Sequence, residues 1–143
     1  MARGTAAYAA AARLGRALTR AGFTVATGGG PGAMEAADLG AYAAPFADDM
    51  LEDGLLARST AGVVFLPGAA GTVQEIFDDA TPDYYASRGE PTPMVLVDDG
   101  HWTRELPAWP LLRSPARGRA MESRIALVDR IEQAAEALKR LGG

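Results

Sequence analysis

Two glycine-rich loops, Gly28-Gly29-Gly30-Pro31-Gly32 and Pro67-Gly68-Ala69-Ala70-Gly71-Thr72, each follow a short apolar run and each open a stretch of helical character. The order strand, glycine turn, helix constrains this chain more than any other feature. It is half of a βαβ crossover, the unit from which parallel sheets with right-handed connections are built. The predicted class is therefore α/β with a parallel sheet.

Residues 5–21 are alanine-rich, with Leu14, Leu18 and Ala21 at helical spacing before Gly22, which stops the pattern as a helix-terminating glycine would. Residues 23–27 read as a buried strand leading into the first loop, and 33–43 as the helix after it. A short connection, 44–49, precedes a predicted helix over 51–59 on which Leu51, Leu55 and Leu56 share a face. Val63-Val64-Phe65-Leu66 is an unbroken apolar run of the kind covered on both faces of a parallel sheet. The second loop then opens a helix from 72 to about 81, and 82–93 reads as a loop. Residues 94–97 form the third clear strand, closed by the turn Asp98-Asp99-Gly100. The stretch 102–119 is proline-broken and aromatic, and a final amphipathic helix is predicted over about 122–141, with Ile125, Val128, Ile131, Ala135, Leu138 and Leu141 on one side. With no repeat and no boundary signal, residues 1–143 are expected to form a single Rossmann-like, three-layer domain with three clear strands.

The formal charge of −4 argues against a nucleic-acid or anionic-membrane binder, since both need a basic surface. No cysteine is present, which excludes disulfides, thiolate metal sites and cysteine nucleophiles, and the single histidine, His101, cannot build a multi-histidine metal site. No metal and no cofactor are expected. No stretch approaches the ~20 apolar residues of a membrane span, and the N-terminal segment lacks the pattern of a secretory signal; the expectation is a cytoplasmic protein.

Both loops lie where a strand ends at the carboxyl edge of the sheet, the place where open α/β sheets bind ligands. The first turn of a helix leaves backbone N–H groups unpaired and carries partial positive charge, so a phosphate can be held there without lysine. Two such loops side by side could hold one sugar phosphate. Neither loop is a GxGxxG fingerprint or a GxxxxGK[ST] phosphate loop, and either alone is also a sound strand-to-helix turn. Thr72-Val73-Gln74-Glu75 fits the S/T-x-x-E capping box, which would make Glu75 a helix-terminal hydrogen-bonding residue; a catalytic carboxylate is the alternative.

Taken together, Gly28-Gly29-Gly30-Pro31-Gly32-Ala33-Met34-Glu35-Ala36-Ala37 and Pro67-Gly68-Ala69-Ala70-Gly71-Thr72-Val73-Gln74-Glu75-Ile76-Phe77 resemble the paired GGGPGxMEAA and PGGxGTxxE motifs of the LOG ("Lonely Guy") family, also carried under a lysine decarboxylase label. The resemblance is to the bacterial branch with PGxAGTxQEIF and spans almost the whole chain. It implies hydrolysis of the N-glycosidic bond of nucleoside 5′-monophosphates to free base and ribose 5-phosphate. It further implies an AMP-like ligand on Gly29, Gly30, Gly32, Met34, Glu35, Pro67, Gly68, Gly71 and Thr72, with Glu35 toward a ribose hydroxyl and Glu75 as the catalytic carboxylate. A carboxylate suits this chemistry, since glycosidic cleavage passes through an oxocarbenium-like state. Decarboxylation through pyridoxal needs a Schiff-base lysine, and the only lysine, Lys139, reads as a cation at a helix C-terminus.

Against the family pattern the chain is shorter before residue 5 and between Gly40 and Leu55. Leu51 and Glu52 stand where the family's catalytic arginine is expected. Arg58, the nearest arginine, lies roughly two helical turns further along and is the second catalytic candidate, a helix-end charge being the alternative. The same phosphate cradle serves non-catalytic nucleotide or molybdenum-cofactor carriers. Tyr84, Tyr85 and Trp102 are candidates for stacking on a base or for packing, His101 for a surface turn rather than a catalytic role, and Asp78, Asp79 and Asp83, which lack the ligand spacing of a cation site, for a solvated helix end. Because few strands are visible, a homodimer is expected to cover what they leave open.

Overall fold

A computed structural model of the chain describes residues 2–23, 25, 32–42, 61–86 and 89–143. They belong to two compact units, Met1–Thr60 and Ala61–Gly143.

The first unit contains two helices, α1 (Ala6–Arg20) and α2 (Ala33–Tyr42). Thr5 caps α1: its hydroxyl oxygen accepts from the Tyr8 N–H at 3.2 Å while its O–H donates to the Ala2 carbonyl at 2.8 Å. At the other end the Phe23 N–H returns to the Leu18 carbonyl and the Gly22 N–H to that of Thr19, with Gly22 at φ +90°. This is a Schellman closure, and it needs the left-handed conformation that glycine takes without strain. The alanine richness has a packing cause. A methyl group on Gly15 would stand 2.8 Å from the Ala37 carbonyl carbon, and one on Gly40 2.5 Å from that of Ala12. The pairs run in opposite order along the chain, so the helices pack antiparallel with their backbones nearly in contact, and only small residues fit between them. Ala11, Ala36 and Ala37 are buried there beside Leu14 and Leu18. The predicted strand over 23–27 lies mostly, and the helix over 51–59 wholly, outside the described residues.

The second unit is α/β, with β1 (Val63–Phe65), α3 (Ala70–Tyr84), β2 (Met94–Val97), α4 (Ala108–Ala116), β3 (Ile125–Val128) and α5 (Ala134–Gly142). The sheet is parallel in the order β1-β2-β3, the Rossmann-like arrangement expected. The register places Val63, Met94 and Ile125 in one row and Phe65, Leu96 and Leu127 in another. All six side chains lie on one face, packed with Ile76 and Ala80 of α3, Leu112 and Ala116 of α4, and Trp102 and Met121. Val95 and Val97 point to the opposite face and are equally buried, beneath α5, whose Ala134, Ala137 and Leu138 are buried and which touches all three strands. Each such aliphatic side chain removed from water contributes roughly 1.5–3 kcal/mol, so β2, with all four residues buried, anchors the sheet.

Three expectations are corrected. The predicted helix over 122–141 is a 3-10 turn (Ala120–Arg124), strand β3, a second 3-10 turn (Ile131–Gln133) and α5. Ile125 and Val128 satisfied helical spacing, but Ile-Ala-Leu-Val is also a strand-length run, and pairing with β2 decides it. The Gln133 side-chain oxygen accepts from the N–H groups of Asp129 and Arg130 and so starts the helix afresh. Second, α3 extends to Tyr84 through Pro82, where a loop was expected. Third, the proline-broken stretch 102–119 contains α4; Pro110 falls in its first turn, where no intrahelical N–H is required. Among the described residues no helix is long and apolar enough to cross a membrane.

Candidate functional site

The second glycine loop lies at the carboxyl end of β1. Helix α3 begins at Ala70 with Ala69 as its N-cap, which makes no side-chain capping bond, and the first turn holds no acidic residue. The capping-box expectation is thereby corrected: Thr72 sits inside the first turn and Glu75 in the second. Alanine is the best helix former, so the helix reaches back past the threonine that resembles a cap. Instead of capping, the Thr72 side chain packs on the preceding turn, its Cβ 2.7 Å from where a Gly68 methyl would stand. A methyl on Gly71 would meet none of the described residues within 4 Å. The first intrahelical bond runs from the Val73 N–H to the Ala69 carbonyl at 3.1 Å. Ala70, Gly71 and Thr72 therefore carry the N–H groups that a helix leaves without an intrahelical partner. Glu75 follows Gly71 by one turn on the same side of α3, and both are exposed, as is Pro67.

His101, expected at a surface turn, is tied to this loop. Its Nε2 lies 2.9 Å from the Gly68 carbonyl oxygen, its Nδ1 3.2 Å from Glu105 Oε2, and its side chain is 15% exposed. A carbonyl oxygen only accepts, so in this contact Nε2 donates. The signal was present in outline: His101 follows β2 at the same sheet edge where Gly68 follows β1, and turns after adjacent parallel strands are neighbours in space. What could not be read was that β1 and β2 are adjacent.

Of the other aromatic candidates, Trp102 is fully buried in the core, which removes it from base stacking, while Tyr85 is exposed. Tyr84 lies beneath the Arg119 guanidinium, 4.0 Å from its ring centroid, and its carbonyl accepts from the same group at 3.3 Å. Asp83, expected in a solvated helix end, is 5% exposed and accepts the Thr92 N–H at 3.0 Å, holding the segment that leads into β2. Among the described residues no cluster of three or more His, Asp or Glu side chains is placed to hold a metal ion.

In the first unit, Gly29, Gly30 and Arg58 lie outside the described residues. Gly32 is buried with φ +87°, and its carbonyl accepts the Ala36 N–H at 2.9 Å at the start of α2. Met34 is 43% exposed. The Glu35 carboxylate is paired with Arg3. That hydrogen bond, seconded by the charge of Arg3 and the Gly32 N–H, holds the Glu35 carboxyl below its ordinary range. Comparison of the chain with protein-family models and with curated proteins gives no match.

Proposed function

We propose that the protein binds a nucleoside 5′-monophosphate and hydrolyses its N-glycosidic bond, as the LOG family does. The observation that carries this reading is the start of α3 without a side-chain capping bond, with no described residue within 4 Å of a Gly71 methyl and an exposed carboxylate, Glu75, one turn on. A phosphate on the N–H groups of Ala70, Gly71 and Thr72 satisfies donors that have no intrahelical partner and meets the positive end of the helix dipole. The Glu75 carboxylate then stabilises positive charge developing at the ribose C1′ and orients water toward it. The C1′–N bond breaks with its electrons going to the base, water adds at C1′, and the released proton neutralises the departing base. The second candidate catalytic group in this reading is Arg58. Incubation with AMP and other monophosphates, with chromatography for free base, tests it; release no faster than from a Glu75→Ala protein would reject hydrolysis.

A second reading, a carrier of a nucleotide or of a phosphate-bearing molybdenum cofactor, is favoured by Leu51 and Glu52 standing where the resemblance expects arginine, since backbone donors alone suffice to bind. Calorimetry showing AMP bound and recovered intact would select it. The reading also includes a homodimer. Within the second unit no described strand pairs with the outer edges of β1 and β3, and light scattering on the purified chain decides whether a second copy is present.

A further inference from the structure

We infer that His101 is a positioning residue for the glycine loop, holding the Gly68–Ala69 peptide in the one orientation that presents its N–H side to a ligand; the ligand's identity rests on the reading above. A trans peptide is planar, so its C=O and N–H point in opposite directions. With the Gly68 oxygen 2.9 Å from His101 Nε2, the Ala69 N–H is turned away from the histidine. Neither Gly68 nor Ala69 carries a polar side chain that could hold this plane; a flip rotates ψ of Gly68, which glycine permits, and carries φ of Ala69 from −114° toward the left-handed region that alanine disfavours, so the histidine bond adds to that local preference. In the flipped state a carbonyl oxygen would take the place of the N–H and repel an anion.

The histidine is itself held from four sides. Asp98 follows β2 directly at φ +84°, a left-handed conformation unusual for a residue other than glycine, and its Oδ1 accepts the His101 N–H at 3.1 Å. The turn that follows is π-helical over His101–Glu105, with the Leu106 N–H reaching the His101 carbonyl at 2.8 Å. The fully buried Trp102 stands edge-on to the imidazole, ring centroids 4.5 Å apart, and Glu105 faces Nδ1. A left-handed non-glycine residue and a π turn are both features that cluster at functional sites, where strain is retained because it aims a group. Here both occur within the turn that aims one imidazole at one carbonyl. The predicted advantage is preorganisation: a ligand binding only one peptide orientation has its affinity reduced by the fraction of molecules in the other.

The test uses the full chain as wild type, His101→Phe, which keeps a ring but no donor, and His101→Gln, whose amide can donate in place of Nε2–H. Three readings are taken: the amide and carbonyl resonances of residues 68–72, the affinity for AMP, and, in the unmodified protein, the 15N shift of His101 Nε2. The expected result is a protonated Nε2, loop resonances displaced in His101→Phe and restored in His101→Gln, and AMP binding weakened about tenfold in the first and recovered in the second. Unchanged loop resonances in His101→Phe, AMP affinity in that variant equal to that of a wild type that binds AMP, or an unprotonated Nε2 would each overturn the inference. The Nε2 reading needs no variant and stands even if His101→Phe does not fold. Wild type that ignores AMP, while its loop still follows His101, sinks the proposed ligand and leaves the positioning role supported.

Discussion

Thr72 packs against Gly68 so closely that its Cβ lies 2.7 Å from the place a Gly68 methyl would occupy, whereas no described residue comes within 4 Å of the corresponding place at Gly71. The two glycines of one loop are therefore required for different reasons. Gly68→Ala must displace Thr72 and distort the turn. Gly71→Ala enlarges nothing into protein, and in the first turn of a helix it replaces the least favourable ordinary residue with the most favourable. The expected result is a protein more stable by up to about 0.5–1 kcal/mol that has lost most of its affinity for AMP. Urea unfolding and calorimetry on the same preparation check the pair of effects. Retained affinity would show that no ligand approaches Gly71.

The crossing of α1 and α2 depends on Gly15 and Gly40. A methyl at either position meets backbone, which cannot rotate away as a side chain can, so Gly15→Ala and Gly40→Ala must push the helices apart. Each substitution gains helix propensity but overpacks the contact, with a net loss of about 1–3 kcal/mol expected from overpacking. Gly142→Ala in α5, where a methyl meets nothing, is the control and should change little. Denaturant midpoints of the three variants provide the comparison.

Glu35 supplies a pH-dependent contribution to the first unit. Its carboxyl is held below the ordinary range by hydrogen bonding and charge from Arg3 and by the Gly32 N–H. For a carboxylate depressed in the folded state, the stabilisation is fully present above the unfolded value and is lost as pH falls through the folded one. Wild type should thus exceed Glu35→Gln in unfolding midpoint at neutral pH, with the gap closing as pH drops below the usual glutamate range. Both groups face solvent, so salt should also narrow the gap. A gap independent of pH and salt would assign the effect to packing.

What could be read from the sequence was local, and what could not was set by distant pairing. Gly22 was legible because a glycine after a helical period has one common use, and the structure shows the Schellman bonds it makes. Val63-Val64-Phe65 and Met94-Val95-Leu96-Val97 were legible because continuous β-branched and apolar runs fit a strand buried on both faces. Ile125-Ala126-Leu127-Val128 was not, because a four-residue run fits either period and only pairing with β2 selects the strand. Thr72 and Glu75 imitated a cap, while the true N-cap, Ala69, has no polar side chain to announce it. His101 was illegible for a related reason: its partner is a backbone carbonyl 33 residues away, and a carbonyl leaves no mark in a sequence.

Glu75 is where stability and activity separate most cleanly. It is exposed on α3, beyond the first turn, so neither a capping bond nor core packing depends on it. Glu75→Gln keeps the side chain's length and hydrogen-bonding reach and removes only the charge, and a surface change of this kind is expected to leave stability within about 0.5 kcal/mol. If the carboxylate stabilises a cationic transition state at C1′, its neutralisation should slow base release by about a hundredfold or more while AMP still binds, because the phosphate is held by backbone groups that the substitution does not touch. The measurement is kcat and KM for base release beside calorimetric AMP affinity, with wild type and Glu75→Gln compared at one pH. A fall in kcat at constant affinity assigns Glu75 to the chemical step. A fall in affinity at constant kcat assigns it to binding the ribose, and no change in either removes it from the site.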